Sequence, residues 1–363
     1  MDNKNKLIAG CLMFASSELA LAETSTVNFY NWPDYVGPTV IDNFTKETGI
    51  TVNYDVFDSN EVVDAKLMTG ASGYDVIIPA SSYLQRQAKI GVYSEIDHDR
   101  LKNYKNLNKD LLSKARQFDP ENKHSIPYAW GTIGLGYNET MLRERLGDMP
   151  LDSLDLIFDP EISSKLKDCG ISILESPAEV TSIALNYLGL DPNSENKKDL
   201  KKATDLLKKS RPNYKQFSSF KHITDLVNGD ICVALSYNGD VSNALVRAEE
   251  AGVSVNLGYS IPKEGTLLWF DFIAIPADAP NPEGAYAFID YLLRSDSAAD
   301  FSNYTFFASA NDAAKPLLLD EIMTDPGIYP SDEVKQRLFA PVAHTAKFDR
   351  LLTRAWTDIK TGR

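Results

Sequence analysis

The chain is predicted to be an α/β protein of two lobes with a ligand cleft between them, on three observations. Its 363 residues exceed one typical domain. Strand-like apolar runs alternate with helical periods, the rhythm of βαβ units on a mostly parallel sheet. Finally, Ile126 to Asn138 reads as a strand that crosses from a first α/β set into a second.

Taken in order, the N-terminus carries Lys4 and Lys6 before the apolar segment Leu7 to Ala15. Ala20-Leu21-Ala22 then fits an A-x-A cleavage site before Glu23, so residues 1–22 are expected to be a secretory signal peptide. Ile8-Ala9-Gly10-Cys11 mimics a lipoprotein box, but only Leu7 and Ile8 precede Ala9, too short a hydrophobic region. A soluble exported protein is expected, with no stable membrane insertion, since nothing later is long enough to cross a bilayer.

The first α/β set follows: Val27 to Asn31 as strand, Pro38 to Thr48 as helix with Gly49 past its end, and Ile50 to Val56 as strand. A helix around Glu61 to Met68, a buried strand from Tyr74 to Pro79 and a helix from Ser82 to Ile90 complete it. In such sheets ligands sit beyond the carboxyl ends of strands, which marks the loops Asn31-Trp32-Pro33-Asp34-Tyr35 and Pro79-Ala80-Ser81-Ser82. The crossing strand, with Gly131, Gly134 and Gly136, is not a phosphate loop, because Glu139 stands where G-x-G-x-x-G needs its third glycine. The second set has a helix around Glu139 to Leu146, strands at Gly170 and Cys232, and helices after Pro177, around Leu200 to Lys209, around Ile223 to Val227 and from Val241 to Glu250. Strands at Val253 to Tyr259 and Thr266 to Ile275 follow, then helices. The lobes divide as residues 23–130 with 250–315, and residues 131–249 with 316–363.

The most informative stretch is Leu267-Leu268-Trp269-Phe270-Asp271-Phe272-Ile273-Ala274-Ile275. It reads as a buried strand holding one carboxylate, which costs several kcal/mol to bury unless a cation meets it. Alternation puts Trp269, Asp271 and Ile273 on one face and Phe270 and Phe272 on the other. An indole beside an acid is half of an ammonium-binding box. An internal Lys or Arg partner is the other reading, and this stretch leaves both open.

Three further acids fall at strand ends or helix starts. Asp34, between Trp32 and Tyr35, reads as a turn residue or a ligand group. Glu179, in Ser176-Pro177-Ala178-Glu179, reads as part of a capping box, and Asp240, after Tyr237-Asn238-Gly239, as an N-cap. Jointly the local readings weaken, since independent caps have no reason to set Trp32, Tyr237 and Trp269 beside acids at one end of successive strands. Such a cleft suits a flexible chain with ammonium ends, carboxylates holding the charges and rings packing on methylenes.

Composition narrows the classes. The chain has 37 Lys+Arg against 51 Asp+Glu, net −14, which disfavours nucleic acid and anionic membranes as partners. The four histidines are scattered without metal-ligand spacing, and neither a G-x-S-x-G elbow, a Walker loop nor H-E-x-x-H occurs; an enzyme, a metal and a cofactor are not expected. Past the signal, Cys169 and Cys232 remain, an even pair in an oxidising compartment, read as a disulfide with two buried thiols as the alternative.

The residues also carry a resemblance. Asn31-Trp32-Pro33-Asp34-Tyr35, Gly134-Leu135-Gly136-Tyr137-Asn138, Asn186-Tyr187-Leu188-Gly189, Asn228-Gly229-Asp230-Ile231-Cys232-Val233-Ala234, Ser260-Ile261-Pro262-Lys263-Glu264-Gly265 and Thr353-Arg354-Ala355-Trp356, in that order, resemble the periplasmic putrescine- and spermidine-binding proteins of bacterial polyamine ABC importers. The resemblance implies a type II-like, two-lobed periplasmic binding protein fold with mixed sheets flanked by helices. It implies a monomer that closes on a polyamine and delivers it to a membrane permease. By position, Trp32, Asp34, Tyr35 and Ser82 would line the pocket from the first lobe, Glu179, Tyr237 and Asp240 from the second, and Trp269, Asp271 and Phe307 from the re-entrant part. Cys169 and Cys232 match a family cysteine pair. Asp271 would hold one ammonium, Asp240 and Glu179 the other, with Trp269 and Tyr237 around the methylenes.

Departures from the family pattern bear on the ligand. Pro33 and Ala80 stand where relatives carry polar residues, although Ser82 can compensate for the second. Tyr237 replaces a family Trp, and Phe307 a family Tyr. Trp269 stands where putrescine binders tend to carry Phe, which leans the expectation toward spermidine, with putrescine second. A polyamine sensor subunit for a membrane signalling protein is the alternative function, since it would use the same pocket.

Overall fold

The computed structural model describes residues 25–362, so the signal peptide expected over residues 1–22, with Cys11, lies outside the described residues. Ten strands form one continuous ladder: β1 (Thr26–Asn31), β2 (Thr51–Val56), β3 (Val76–Ile77), β4 (Ser125–Asn138), β5 (Ile171–Ile173), β6 (Tyr214–Phe217), β7 (Val233–Tyr237), β8 (Leu257–Ser260), β9 (Leu268–Ala274) and β10 (Ala308–Ser309). Their order is β2-β1-β3-β9-β4-β7-β5-β6, with β8 and β10 also paired to β4. The long strand joins two halves. Ser125 to Thr132 pairs with β9, and Ile133 to Tyr137 pairs with β7. Crossing from one α/β set to the other, as the glycine-punctuated run predicts, β4 makes the two lobes one ladder.

The sheet is mixed rather than mostly parallel. β1 runs parallel to β2 and β3, and β5 parallel to β6 and β7, as right-handed crossovers require. β9 and β4 run against their neighbours, because the chain returns to the first half only after building the second. This reversal matters for the site: the N-terminal half of β9 lies alongside the exit of β3, and Asp271 bridges to Ala80 there.

Eight of the ten strands follow the sequence, β6 and β10 having no counterpart in that reading, and boundaries move where turn chemistry intervenes. The helix Val40–Thr48 stops at Gly49, whose φ of +74° suits a residue without Cβ. The strand expected from Val253 begins only at Leu257, since Gly252 closes the preceding helix and the Val253 amide is still bonded back to the Ala248 carbonyl. Only Val76 and Ile77 of the predicted Tyr74 to Pro79 run join the ladder.

Side-chain alternation along β9 divides the core. Trp269 and Ile273 pack into one apolar cluster with Phe29, Ile133 and Leu235, whereas Leu268, Phe270 and Phe272 pack into a second with Tyr30, Phe57 and Phe118. Ile322 and Ile328 join the second cluster. The helix Ala346–Thr361 lies on the helices Lys197–Ser210 and Pro177–Tyr187. No helix among the described residues is long and apolar enough to cross a membrane.

Cys169 and Cys232 form a disulfide that pins the loop before β5 to the start of β7, across 63 residues of chain. Closing a loop of that length in the unfolded chain is worth about 4 kcal/mol on the chain-entropy scale. Cys169→Ala with Cys232→Ala should lower stability by roughly that amount in a denaturant titration; a midpoint unchanged from the wild type would contradict it.

Candidate ligand-binding site

Of the acids and rings picked out in the sequence, Asp271, Glu179, Tyr35, Tyr237, Trp269 and Phe307 come together on the inner face of β9. Asp271 is 9% exposed, and its Oδ2 accepts a 2.8 Å hydrogen bond from the Tyr35 hydroxyl. Burial pushes the Asp271 carboxyl up from 3.8 to about 7, the Tyr35 bond pulls it down in part, and the charge of Glu179 pushes it up again. Glu179, partly buried, accepts a 2.8 Å bond from the Tyr237 hydroxyl; burial raises its pKa while bonds from Ser176 and Tyr237 oppose the rise. The Tyr35 and Tyr237 phenols are held protonated, by burial first and by these same acids second.

Rings close the space between the carboxyls. The Trp269 indole meets Phe307 edge to face at 5.1 Å and Tyr237 at 6.3 Å, and Phe307 in turn meets Tyr35 at 5.7 Å. Phe307 reaches this position because the helix Ser295–Thr305 ends on Phe306 in the left-handed region, at φ +60°, which turns the chain back. Asp240 joins from the helix Asn238–Glu250, its Oδ2 2.9 Å from Nε2 of the buried His222.

The helix-capping roles considered for Asp240 and Glu179 are not the ones the structure shows. Tyr237, not Asp240, is the N-cap of its helix, and Asp240 lies in the first turn. Ser176 gives no side-chain cap to the helix Pro177–Tyr187, and Glu179 meets the Tyr237 hydroxyl as well as Ser176. Among the described residues no Lys, Arg or His side chain pairs with Asp271 or Glu179. Their described contacts are the two phenols and Ser176. Such acids, buried or half-buried without a basic partner, are what a cationic guest requires.

The remaining predicted residues make other contacts. Trp32 is half-buried just past β1 and packs against Phe57 at 4.5 Å, with Nε1 buried and unpartnered. Asp34 is exposed in a left-handed turn, φ +53°, beside Tyr304, so the turn reading fits its backbone. Ser82 is half-buried in the first turn of the helix Ser81–Lys89. No described hydrogen bond or ring contact joins Trp32, Asp34 or Ser82 to Asp271 or Glu179.

Sequence reasoning missed the glycines that admit the rings. A Cβ on Gly131 would lie 2.2 Å from Asn238 Oδ1 and 2.5 Å from the Trp269 ring, and one on Gly239 would lie 2.5 Å from the Phe307 ring. An isolated glycine inside a strand pattern was the available signal, since it marks close approach. Gly131→Ala should therefore displace Trp269 and cost about 1–3 kcal/mol, read by chemical denaturation. It also missed His222, for which no local pattern exists.

A family model described as bacterial extracellular solute-binding protein matches residues 39–330. The chain belongs to that family. It is 50% identical over 343 residues to the putrescine-binding periplasmic protein SpuD of Pseudomonas aeruginosa, spanning 94% of each chain. It is 49% identical over 359 residues to the putrescine-binding periplasmic protein PotF of Escherichia coli, spanning 98% of this chain and 97% of that one. Among solved structures, the spermidine/putrescine ABC transporter substrate-binding protein PotD of Streptococcus pneumoniae superposes with a TM-score of 0.81 at 30% identity, covering 93% of this chain and 99% of that one. The fold is thus the two-lobed periplasmic binding protein fold, and the chain is a solute-binding protein rather than an enzyme.

Proposed function

We propose that this protein captures putrescine in the periplasm, between its two lobes, and hands it to the membrane permease of an ABC importer. The observation that carries the reading is the pair of acids, buried Asp271 and partly buried Glu179, held by phenols and walled by Trp269, Tyr237 and Phe307, with no described basic side chain against either. One ammonium would meet Asp271 and the other Glu179 and Asp240, while the methylenes lie along the rings. Trp32, Asp34, Tyr35 and Ser82 would complete the wall from the first lobe. We assign residues 23–130 with 250–315 to that lobe and 131–249 with 316–363 to the second, the stretch holding Ile322 and Ile328 packing on the first lobe's core.

Putrescine replaces the spermidine expectation raised by Trp269. The relatives at 49–50% identity are named for putrescine, while those named for spermidine and putrescine together are 34–35% identical.

Titration calorimetry of the mature protein with putrescine, cadaverine, agmatine and spermidine tests this. Putrescine should bind most tightly, at micromolar Kd or below, about −8 kcal/mol or better. Heat from none of the four would overturn the polyamine reading, and tighter binding of spermidine would overturn the choice of ligand.

A further inference from the structure

His222 lies on the helix Lys221–Asn228 and is fully buried. Its Nε2 faces two oxygens, Ser236 Oγ at 3.1 Å and Asp240 Oδ2 at 2.9 Å. The Ser236 hydroxyl has one proton and donates it to the Tyr237 carbonyl at 3.0 Å, so toward the imidazole it can only accept. A carboxylate also only accepts. Nε2 therefore carries a ring hydrogen.

Nδ1 is buried without a hydrogen-bond partner among the described residues, so a second ring proton would have no acceptor there. The acid on His222's own helix, Asp225, is taken up by Lys221 at 3.0 Å and Gln216 at 2.8 Å. These contacts hold the ring as a neutral donor aimed at Asp240. A lysine or arginine in that place would cancel the carboxylate's charge; a neutral N–H orients it and leaves the charge in place.

We propose that His222 is a positioning residue for ligand capture: it fixes Asp240 through Oδ2, so that Oδ1 and the negative charge serve one ammonium end of the guest. This rests on the polyamine reading of the site. His222 is fully buried, so its part is played through the group that would hold the ligand.

Calorimetry with putrescine on the wild type, His222→Phe, His222→Gln, Asp240→Asn and the His222→Phe/Asp240→Asn double variant tests it. His222→Phe should weaken binding about tenfold or more, while Gln, whose amide N–H can reach the Nε2 position, should stay within about threefold of the wild type. With Asp240→Asn already present, His222→Phe should cost nothing further. An equal loss with and without Asp240, or Gln no better than Phe, would overturn the role. Should the Phe variant not fold, ¹⁵N NMR of the unliganded wild type decides: Nε2 should be pyrrole-type and Nδ1 pyridine-type at neutral pH, and the opposite tautomer or a doubly protonated ring would sink the inference. That spectrum needs no ligand. It separates failure of the His222 assignment from failure of the polyamine reading, which would appear as absent heat with the wild type.

Discussion

Asp271→Asn is expected to weaken putrescine binding about a hundredfold or more, and to raise the melting temperature of the unliganded protein by roughly 5 °C at pH 8. Both effects have one origin. The carboxyl is buried, its described partner is the Tyr35 hydroxyl, and burial lifts its pKa from 3.8 to about 7. Holding it ionised therefore costs the empty fold about 4 kcal/mol. The amide keeps the Tyr35 bond and removes the charge, but its own N–H groups lack acceptors and return part of the gain. For the ligand, the same change deletes the counter-charge of a desolvated ammonium. Calorimetry and differential scanning measure the two sides. Affinity within threefold of the wild type would remove Asp271 from the site, and a lower melting temperature would show that its charge is compensated within the protein.

The second large effect is on pH. The folded-state pKa of Asp271 lies above its unfolded value, so the folded protein holds the proton more tightly than the unfolded chain does. The stability this contributes is fully present below about 4 and is lost as pH rises toward about 7. The unliganded protein should accordingly lose stability over that interval. Putrescine should flatten this slope, because an ammonium beside Asp271 favours the ionised form and lowers its pKa toward the unfolded value. Binding below pH 7 should then release a proton, and affinity should climb up to about tenfold per pH unit before levelling off above 7. Calorimetry in two buffers of different ionisation enthalpy counts that proton directly. Affinity flat from pH 5 to 7, with no proton released, would mean that Asp271 is already ionised before the ligand arrives.

The sequence by itself determined the α/β elements, the crossing strand, the facing of β9 and the cysteine pair. Each of these depends on signals a few residues long: period-2 alternation put Trp269, Asp271 and Ile273 on one face, and the two core clusters follow that division. It also marked Asp271 as a buried acid without a local role. It could not decide what that acid meets. The Tyr35 hydroxyl that bonds it lies 236 residues away, and the two come together only because β9 runs antiparallel to β3, which brings its early residues to the exit of the first strands. The same holds for Glu179 and Asp240, where adjacent residues allowed a capping role and only the packed helices showed Tyr237 and His222 as partners. Caps and periods are local, so sequence can state them. The partner of a buried charge depends on the order in which strands are laid beside one another, and that the folded chain alone decided.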